Sequence, residues 1–241
     1  MEKGSDIFDH FQQSLNELGD NLRVLETTVP VEKQMEYFRY SEKVRRQSEE
    51  ESVDEQIETL LSPEATINEK RYALTVLAIS GDVKAFRTLE EYSKQGREPD
   101  LKDWISMALL QARITLESEF SEEKQVFIST GLGGNGNKLR FYAFFQSKSL
   151  LPFLNYQRKL IEKEIPFFIH KYQGELEEIC VEENYFYLVF LINLQEGIRQ
   201  MLEDAINECN EYGNFINSNF IITNVKRFDQ KDIDRELGRN R

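Results

Sequence analysis

Apolar residues recur at helical spacing through the first half of the chain. Over residues 6–26 they stand at alternating steps of three and four, which predicts an amphipathic helix that docks on neighbouring helices or pairs with another chain. A second helix is predicted from Val31, with Met35 and Phe38 on its apolar face. It fades into a charge-dense stretch over residues 43–55, which is interpreted as a solvated face or a linker.

Helix-capping residues punctuate residues 52–120 at regular intervals. Thr66 and Glu69 have the spacing of a capping box. The pair Gly81–Asp82 suits a left-handed helix end followed directly by the N-cap of the next helix. Asp100 is expected to cap a third helix. The sequence therefore predicts successive short helices in this region.

The stretch EKRYALTVLAISGDVKAFRTLEEYSKQGREPDLKDWISMALLQAR, with its Gly-Asp turn, resembles the helix pairs of HEAT-like α-solenoids. The resemblance extends over residues 52–120. It implies a protein-binding surface and no catalysis. Solenoids normally stack three or more units, and at most two can be drawn here, so a compact helical bundle is the alternative.

From residue 124 onward the apolar period becomes that of strands. Gly133–Asn137, with its Asn-Gly pair, predicts a hairpin turn. The predicted elements are strands 125–132 and 138–146, helix 150–165, strands 175–182 and 185–194, helix 198–212 and strand 218–228. The order βαββαβ from residue 138 looks like a ferredoxin-like domain with an extra N-terminal strand. We therefore expect an α+β fold, with an acidic helical domain over 1–122 and a ferredoxin-like domain over 123–241.

The glycine-rich turn is also a candidate ligand loop, made of Gly133, Gly134, Asn135 and Gly136. Clustered glycines allow backbone N–H groups to approach an anion. A plain hairpin turn is the competing interpretation, because a strand follows directly, whereas phosphate loops lead into a helix.

Alternation along the strand at 185–194 places Tyr185, Tyr187, Val189 and Leu191 on its outer face. Sheets that are apolar on both faces are normally covered, so these residues are a candidate interaction surface for the helical half or for a second copy of the chain. Stacking of RNA bases on the aromatic rings is an alternative. It is disfavoured because the Gly-containing RNP1 pattern is missing.

Composition narrows the chemistry that is expected. Apolar residues make up 40% of the chain, and it has 2 cysteines and 2 histidines. Neither His10 nor His170 has a companion at ligand spacing, so no catalytic residue, metal site or cofactor is predicted. No apolar run approaches the ~18–20 residues that cross a bilayer. No membrane association and a cytoplasmic location are therefore expected.

The formal net charge of −13 is concentrated in residues 1–124, which carry 16 Lys/Arg against 27 Asp/Glu. Such a surface repels phosphate backbones, so nucleic acid is disfavoured as a partner. The sequence predicts a protein partner or self-association, and hence a non-enzymatic protein–protein interaction or adaptor protein. The alternative is an ACT-like regulatory protein that binds a small ligand, and an enzyme ranks third.

Overall fold

A computed structural model describes residues 22–47, 51–96, 98–120, 126–193 and 196–239. Two compact units are present. The helical unit is Val29–Ile128, and the sheet unit joins Ser129–Arg241 to the chain up to Thr28. The predicted division after residue 122 stays a prediction.

Most of the helix predicted over 6–26 lies outside the described residues. Its described end is not helical, because Leu22–Val24 form a short strand, β1.

The helical unit is built around one central helix. Its described elements are α1 (Val31–Gln47), α2 (Val53–Leu61), α3 (Ile67–Ile79), α4 (Val83–Gln95), a 3-10 turn (Pro99–Leu101), α5 (Lys102–Phe120) and strand β2 (Val126–Ile128). Helix α3 contacts α1, α2, α4 and α5. It is buried continuously from Ala73 to Ala78, so its apolar side chains form the middle of the core.

Helix ends in this unit follow the predicted capping residues. The Thr66 hydroxyl accepts from the Glu69 backbone N–H, and the Glu69 carboxylate accepts from the Thr66 N–H, which completes the capping box. In Gly81–Asp82 the glycine is left-handed, with φ 69°, and the aspartate caps α4. Asp100 was expected to cap a helix, but it lies inside the 3-10 turn Pro99–Leu101, whose N-cap is Glu98.

The sheet unit alternates strands and helices after a short hairpin. Its further described elements are β3 (Gly134–Asn135), β4 (Lys138–Gln146), α6 (Asn155–Lys171), β5 (Glu175–Val181), β6 (Tyr185–Asn193), α7 (Ile198–Asn210), β7 (Ile221–Thr223) and α8 (Gln230–Glu236). Strand β6 lies between β5 and β4, and the other edge of β4 pairs with β3 and β7. All of these pairings are antiparallel.

The order β4-α6-β5-β6-α7-β7 is therefore βαββαβ, and the α+β fold class is confirmed. The likenesses to HEAT-like and ferredoxin-like families stay predictions.

One face of the sheet is filled by aromatic and aliphatic side chains that meet across β4 and β6. Phe145 stacks on Phe186 with ring centroids 4.5 Å apart, and Phe141 lies 6.0 Å from Phe190. All four rings are buried. Helices α6 and α7 pack on each other and bury their own apolar stripes, so this side of the sheet unit holds its larger core.

The opposite face of the sheet is covered by the chain itself. Tyr142, Phe144 and Val189 form a buried cluster with Ile233 of α8 and with Leu132. Partly buried side chains complete the cluster: Tyr185, Tyr187, Ile221, Phe228 and Leu237. We call residues 228–237 the cover segment, because its side chains pack on the outer face of β4 and β6.

Several predicted boundaries differ from the structure, among them the start of helix α6, which is Asn155 and not residue 150. The first arm of the hairpin is Gly134–Asn135 and not residues 125–132. Helix α6 continues through Pro166 instead of ending before it. The strand predicted over 218–228 is limited to Ile221–Thr223, because the chain leaves the edge of β4 and continues into the cover segment.

Across the described residues, no helix is at once long enough and apolar enough to cross a membrane.

Candidate functional site

A pocket of about 620 Å³ opens on the helical unit. Its wall comes from α1, α3 and α5: Glu32, Glu36, Arg39, Tyr40, Lys43, Asn68, Arg71 and Trp104. A volume of this size is within the range of sites that hold small organic groups. The wall combines two aromatic rings with three cations, two carboxylates and the Asn68 amide.

Trp104 is the rigid floor of the pocket. Its side chain is only 6% exposed, and its Nε1 donates to the Arg71 carbonyl and to the Thr75 hydroxyl, each at 3.2 Å. The rings of Tyr37 and Tyr40 meet it edge-on, each with its centroid 5.2 Å away. These contacts fix the indole on α5, so the floor keeps its position with or without a ligand.

Arg71 lies on that floor. Its guanidinium carbon is 4.9 Å from the centroid of the Trp104 ring, which is a cation–π contact. Its Nε is buried and has no hydrogen-bond partner among the described residues. Its Nη1 is 3.8 Å from Glu36 Oε1, longer than a hydrogen bond. The Arg71 side chain as a whole is 30% exposed, so an acceptor from a ligand would meet the exposed part of the guanidinium and not the buried Nε.

Buried polar contacts decide which face α1 turns to the pocket. The Tyr37 hydroxyl donates to Gln111 Oε1 at 2.6 Å, and the Ser41 hydroxyl donates to the same atom at 2.9 Å. The buried face is therefore Gln34, Tyr37, Ser41 and Val44. The predicted apolar face was wrong at its two large residues, since Met35 is 49% and Phe38 41% exposed.

This orientation leaves a row of cations in solvent. Arg39, Lys43 and Arg46 are spaced four and three residues apart on α1, and all three are exposed. We call them the basic stripe. Its first two members also line the pocket. Lys43 and Arg46 fall in the stretch 43–55 that was interpreted from the sequence as a solvated face or linker, and Arg39 precedes it. The spacing on a predicted helix already placed the three cations on one side.

The Glu36 carboxyl in the pocket wall is ionised at neutral pH. Lys33 Nζ donates to Glu36 Oε2 at 3.0 Å. That hydrogen bond, assisted by the charges of Lys33 and Arg71, holds the pKa of the Glu36 carboxyl below its ordinary value. Glu36 is thus an acceptor at neutral pH, and it lies beside the donors of Arg71.

The predicted ligand loop is used for packing. A Cβ on Gly133 would lie 2.8 Å from the Glu26 carbonyl oxygen, and one on Gly134 would lie 2.2 Å from the Lys138 carbonyl oxygen. The Gly133 N–H donates to Thr130 at 3.2 Å. Asn135 and Gly136 form the exposed end of the hairpin. Close backbone approach explains Gly133 and Gly134, and the left-handed φ of 59° explains Gly136. Ligand binding at this loop stays a prediction.

Three of the four residues of the predicted interaction surface, Tyr185, Tyr187 and Val189, belong to the cluster beneath the cover segment. Val189 is fully buried and Leu191 is 3% exposed. Tyr185 and Tyr187 are half-buried against the same cluster, and the Tyr187 hydroxyl donates to Glu178 at 3.0 Å. The chain therefore supplies the covering layer that was expected from another domain or copy. An interaction through the two tyrosines stays a prediction.

The described residues contain no group of three or more His, Cys, Asp or Glu side chains that could hold a metal ion. His170 is exposed on α6, and His10 lies outside the described residues.

Only the comparison with solved structures gives matches. No protein-family model matches the chain, and no curated protein matches it. A protein from Deinococcus radiodurans R1 assigned as a transposase is similar in structure, with 14% identity and a TM-score of 0.37 over 42% of this chain and 90% of that chain. A REP-associated tyrosine transposase bound to a REP hairpin has 11% identity and a TM-score of 0.33 over 48% of this chain and 68% of that chain.

Against these matches, several predictions from the sequence are wrong. They are the non-enzymatic interaction or adaptor protein with its small-ligand alternative, the absence of enzymatic activity, and nucleic acid as a disfavoured partner. Both of the structures named above are described as transposases. Because both TM-scores are below 0.5, neither activity is carried over to this chain.

The prediction against nucleic acid, made from net charge, was wrong for a physical reason. It averaged over residues 1–124, whereas the second half of α1 carries Arg39, Lys43, Arg45 and Arg46 against Glu42 alone. A phosphate contact depends on charges within about one Debye length, roughly 8–10 Å, and not on the average of a domain.

Proposed function

We propose that the chain binds single-stranded nucleic acid, with one unstacked base in the pocket and phosphates along the basic stripe. The observation that carries the proposal is the Arg71 guanidinium stacked on Trp104, in an aromatic pocket whose rim includes Arg39 and Lys43. Stacking surfaces beside a cationic track are the combination by which proteins bind single strands.

The pocket offers two ways to hold a ring. Tyr40 is partly exposed in the wall, and Arg71 presents a guanidinium that is already supported from below by Trp104. Bases stack on tyrosine rings and on arginine planes alike, at about 1–3 kcal/mol per base. A base inside a duplex is paired and stacked on both sides, so the pocket favours a strand whose bases are free.

The basic stripe has the length of a short strand segment. Arg39 and Arg46 are seven residues apart on α1, which is about 10 Å along a helix axis. Stacked nucleotides rise about 3.4 Å each, so the stripe spans about three phosphates. The net charge of −13 for the whole chain opposes this contact at long range. Binding is therefore expected to be strongly salt-dependent, with log K falling by about 2 per tenfold rise in salt.

The test is fluorescence anisotropy with a labelled mixed-sequence DNA strand of about 16 nucleotides, the upper site size of one binding module. The double variant Arg39→Glu/Lys43→Glu removes the two members of the basic stripe that line the pocket. We expect it to weaken binding at least tenfold and to reduce the salt slope by about 1.4, the share of two phosphates. Trp104 is the chain's single tryptophan, so a change in its fluorescence reports binding at the pocket itself.

The matched control is Arg87→Glu/Lys94→Glu on α4. It changes the net charge equally at two exposed positions that do not line the pocket. It should bind within about twofold of the unchanged protein. Equal loss in both double variants would show that only bulk charge matters. A duplex of the same sequence that binds as tightly as the strand would refute the single-strand assignment.

We also propose that the protein is located in the cytoplasm, where single strands of RNA and DNA occur.

A further inference from the structure

We propose that the pocket selects guanine among the bases, because the Arg71 guanidinium and the Glu36 carboxylate stand side by side in its wall, 3.8 Å apart. This inference rests on the proposed function and names the base that the same site takes.

Guanine alone has an edge that matches this pair. Its N7 and O6 are neighbouring acceptors, and its N1–H and N2–H groups, next in order, are neighbouring donors. A guanidinium binds two adjacent acceptors, and a carboxylate binds two adjacent donors, each through two parallel hydrogen bonds. A guanidinium beside a carboxylate offers two donors followed by two acceptors, which complements the two acceptors and two donors along the edge of guanine.

The other bases satisfy the pair only in part. Adenine presents one amino donor between two acceptors, and cytosine presents one amino donor beside a single acceptor, so with either base the carboxylate would keep one oxygen without a base donor. Thymine and uracil present a single imino donor between two carbonyls, so one carbonyl would face the negative carboxylate. Each mismatch loses a two-bond contact, which is the kind of contact that discriminates between bases.

Both groups have contacts that orient them before any ligand arrives, although the side chain of Glu36 is 44% exposed. Arg71 is fixed at two points, since its guanidinium lies on Trp104 and its carbonyl accepts from the same indole. Glu36 is fixed by Lys33, which donates to Oε2, and its Oε1 is the oxygen nearest to Arg71. The gap between Oε1 and Nη1 is longer than a direct hydrogen bond, so neither group has to break a bond to the other to take a base.

The experiment uses thymine strands that differ only at one central position, occupied by guanine, adenine, cytosine or thymine. Anisotropy gives the affinity of each, and Trp104 fluorescence reports whether the central base reaches the pocket. We expect the guanine strand to bind about tenfold more tightly than the thymine strand, with adenine and cytosine between them. Glu36→Gln keeps the shape of the side chain but converts one acceptor oxygen into a donor. In this variant the guanine strand and the thymine strand should therefore bind with about equal affinity.

The control is Glu42→Gln, the same change on the same helix at a residue that is 76% exposed and does not line the pocket. It should keep the full preference. Equal affinities for all four strands in the unchanged protein would overturn guanine selection and leave strand binding standing. Failure of every strand to bind would overturn the proposed function itself. If guanosine monophosphate competes as well as the guanine strand, guanine selection is supported and the single-strand assignment is refuted.

Discussion

Removing one buried hydroxyl should stabilise the protein. The Tyr142 hydroxyl is buried under the cover segment, and it has no hydrogen-bond partner among the described residues. Burial raises the pKa of Tyr142, so the phenol stays neutral and keeps a donor that is not used. Leaving such a group unpaired costs about 1–3 kcal/mol, whereas phenylalanine has no such cost.

The ring contacts of Tyr142 survive the change to phenylalanine. Its ring centroid lies 5.4 Å from that of Tyr187 and 5.1 Å from that of Phe228, and both contacts use carbon atoms. For Tyr142→Phe we therefore expect the free energy of unfolding to rise by about 1 kcal/mol. In a chain of this length that shift raises Tm by roughly 2–4 °C.

Urea denaturation followed by circular dichroism measures the change, and Tyr37→Phe is the matched control. The Tyr37 hydroxyl is also buried, but it donates to Gln111 at 2.6 Å. Its removal should therefore destabilise the protein by about 1 kcal/mol. Opposite signs for the same atom deletion are the result that supports the reasoning. A loss of 1 kcal/mol or more in Tyr142→Phe would show that this hydroxyl is satisfied, and the argument from its isolation would fail.

Three further outcomes follow from single sites. Gly131→Ala should lower the free energy of unfolding by about 3 kcal/mol in a urea titration, because its Cβ would lie 1.7 Å from a backbone carbonyl oxygen. Gly136→Ala, in open space at φ 59°, should lower it by only about 1 kcal/mol. A thiol reagent at pH 8 should label half-buried Cys180 in the native protein but reach Cys209 only after unfolding, because Cys209 is buried and burial raises its pKa to about 12. Equal labelling rates for the two thiols in the native protein would contradict this. The Lys226 ammonium lowers the pKa of Asp232, so this carboxylate stabilises the fold above about pH 4 and loses that contribution as pH falls through its folded pKa. Asp232→Asn should flatten the acid limb of a pH titration of stability, and an unchanged limb would count against the contact.

Local signals in the sequence were sufficient for much of the fold. The capping box of Thr66 and Glu69 and the turn Gly81–Asp82 depend on residues at most three apart, and they appear where predicted. The βαββαβ order was readable because strand and helix differ in their apolar period. Boundaries that depend on a few neighbouring residues are therefore recoverable from sequence.

Features that depend on distant residues were not recoverable. The buried face of α1 follows from Gln111, which takes hydrogen bonds from Tyr37 and from Ser41, 70 residues or more away in sequence. Polar residues were thereby buried, and Met35 was left outside. Apolar spacing alone assigns the opposite face, because it cannot register a buried polar partner.

The candidate site shows the same division. Three cations at helical spacing on α1 were visible in the sequence, although a charge averaged over half the chain concealed them. The pairing of Arg71 with Glu36 was not visible, because it joins two helices through the position of Trp104. A pocket of this kind arises only once the helices have packed.

The cover segment imposes an order on biosynthesis. Ribosomes release a chain from its N-terminus, so β4 and β6 emerge well before residues 228–237 have been made. During that interval the face that carries Tyr142 and Val189 has no layer over it. A nascent chain paused between these points would present an aromatic sheet surface to chaperones, and the completed chain closes that surface itself.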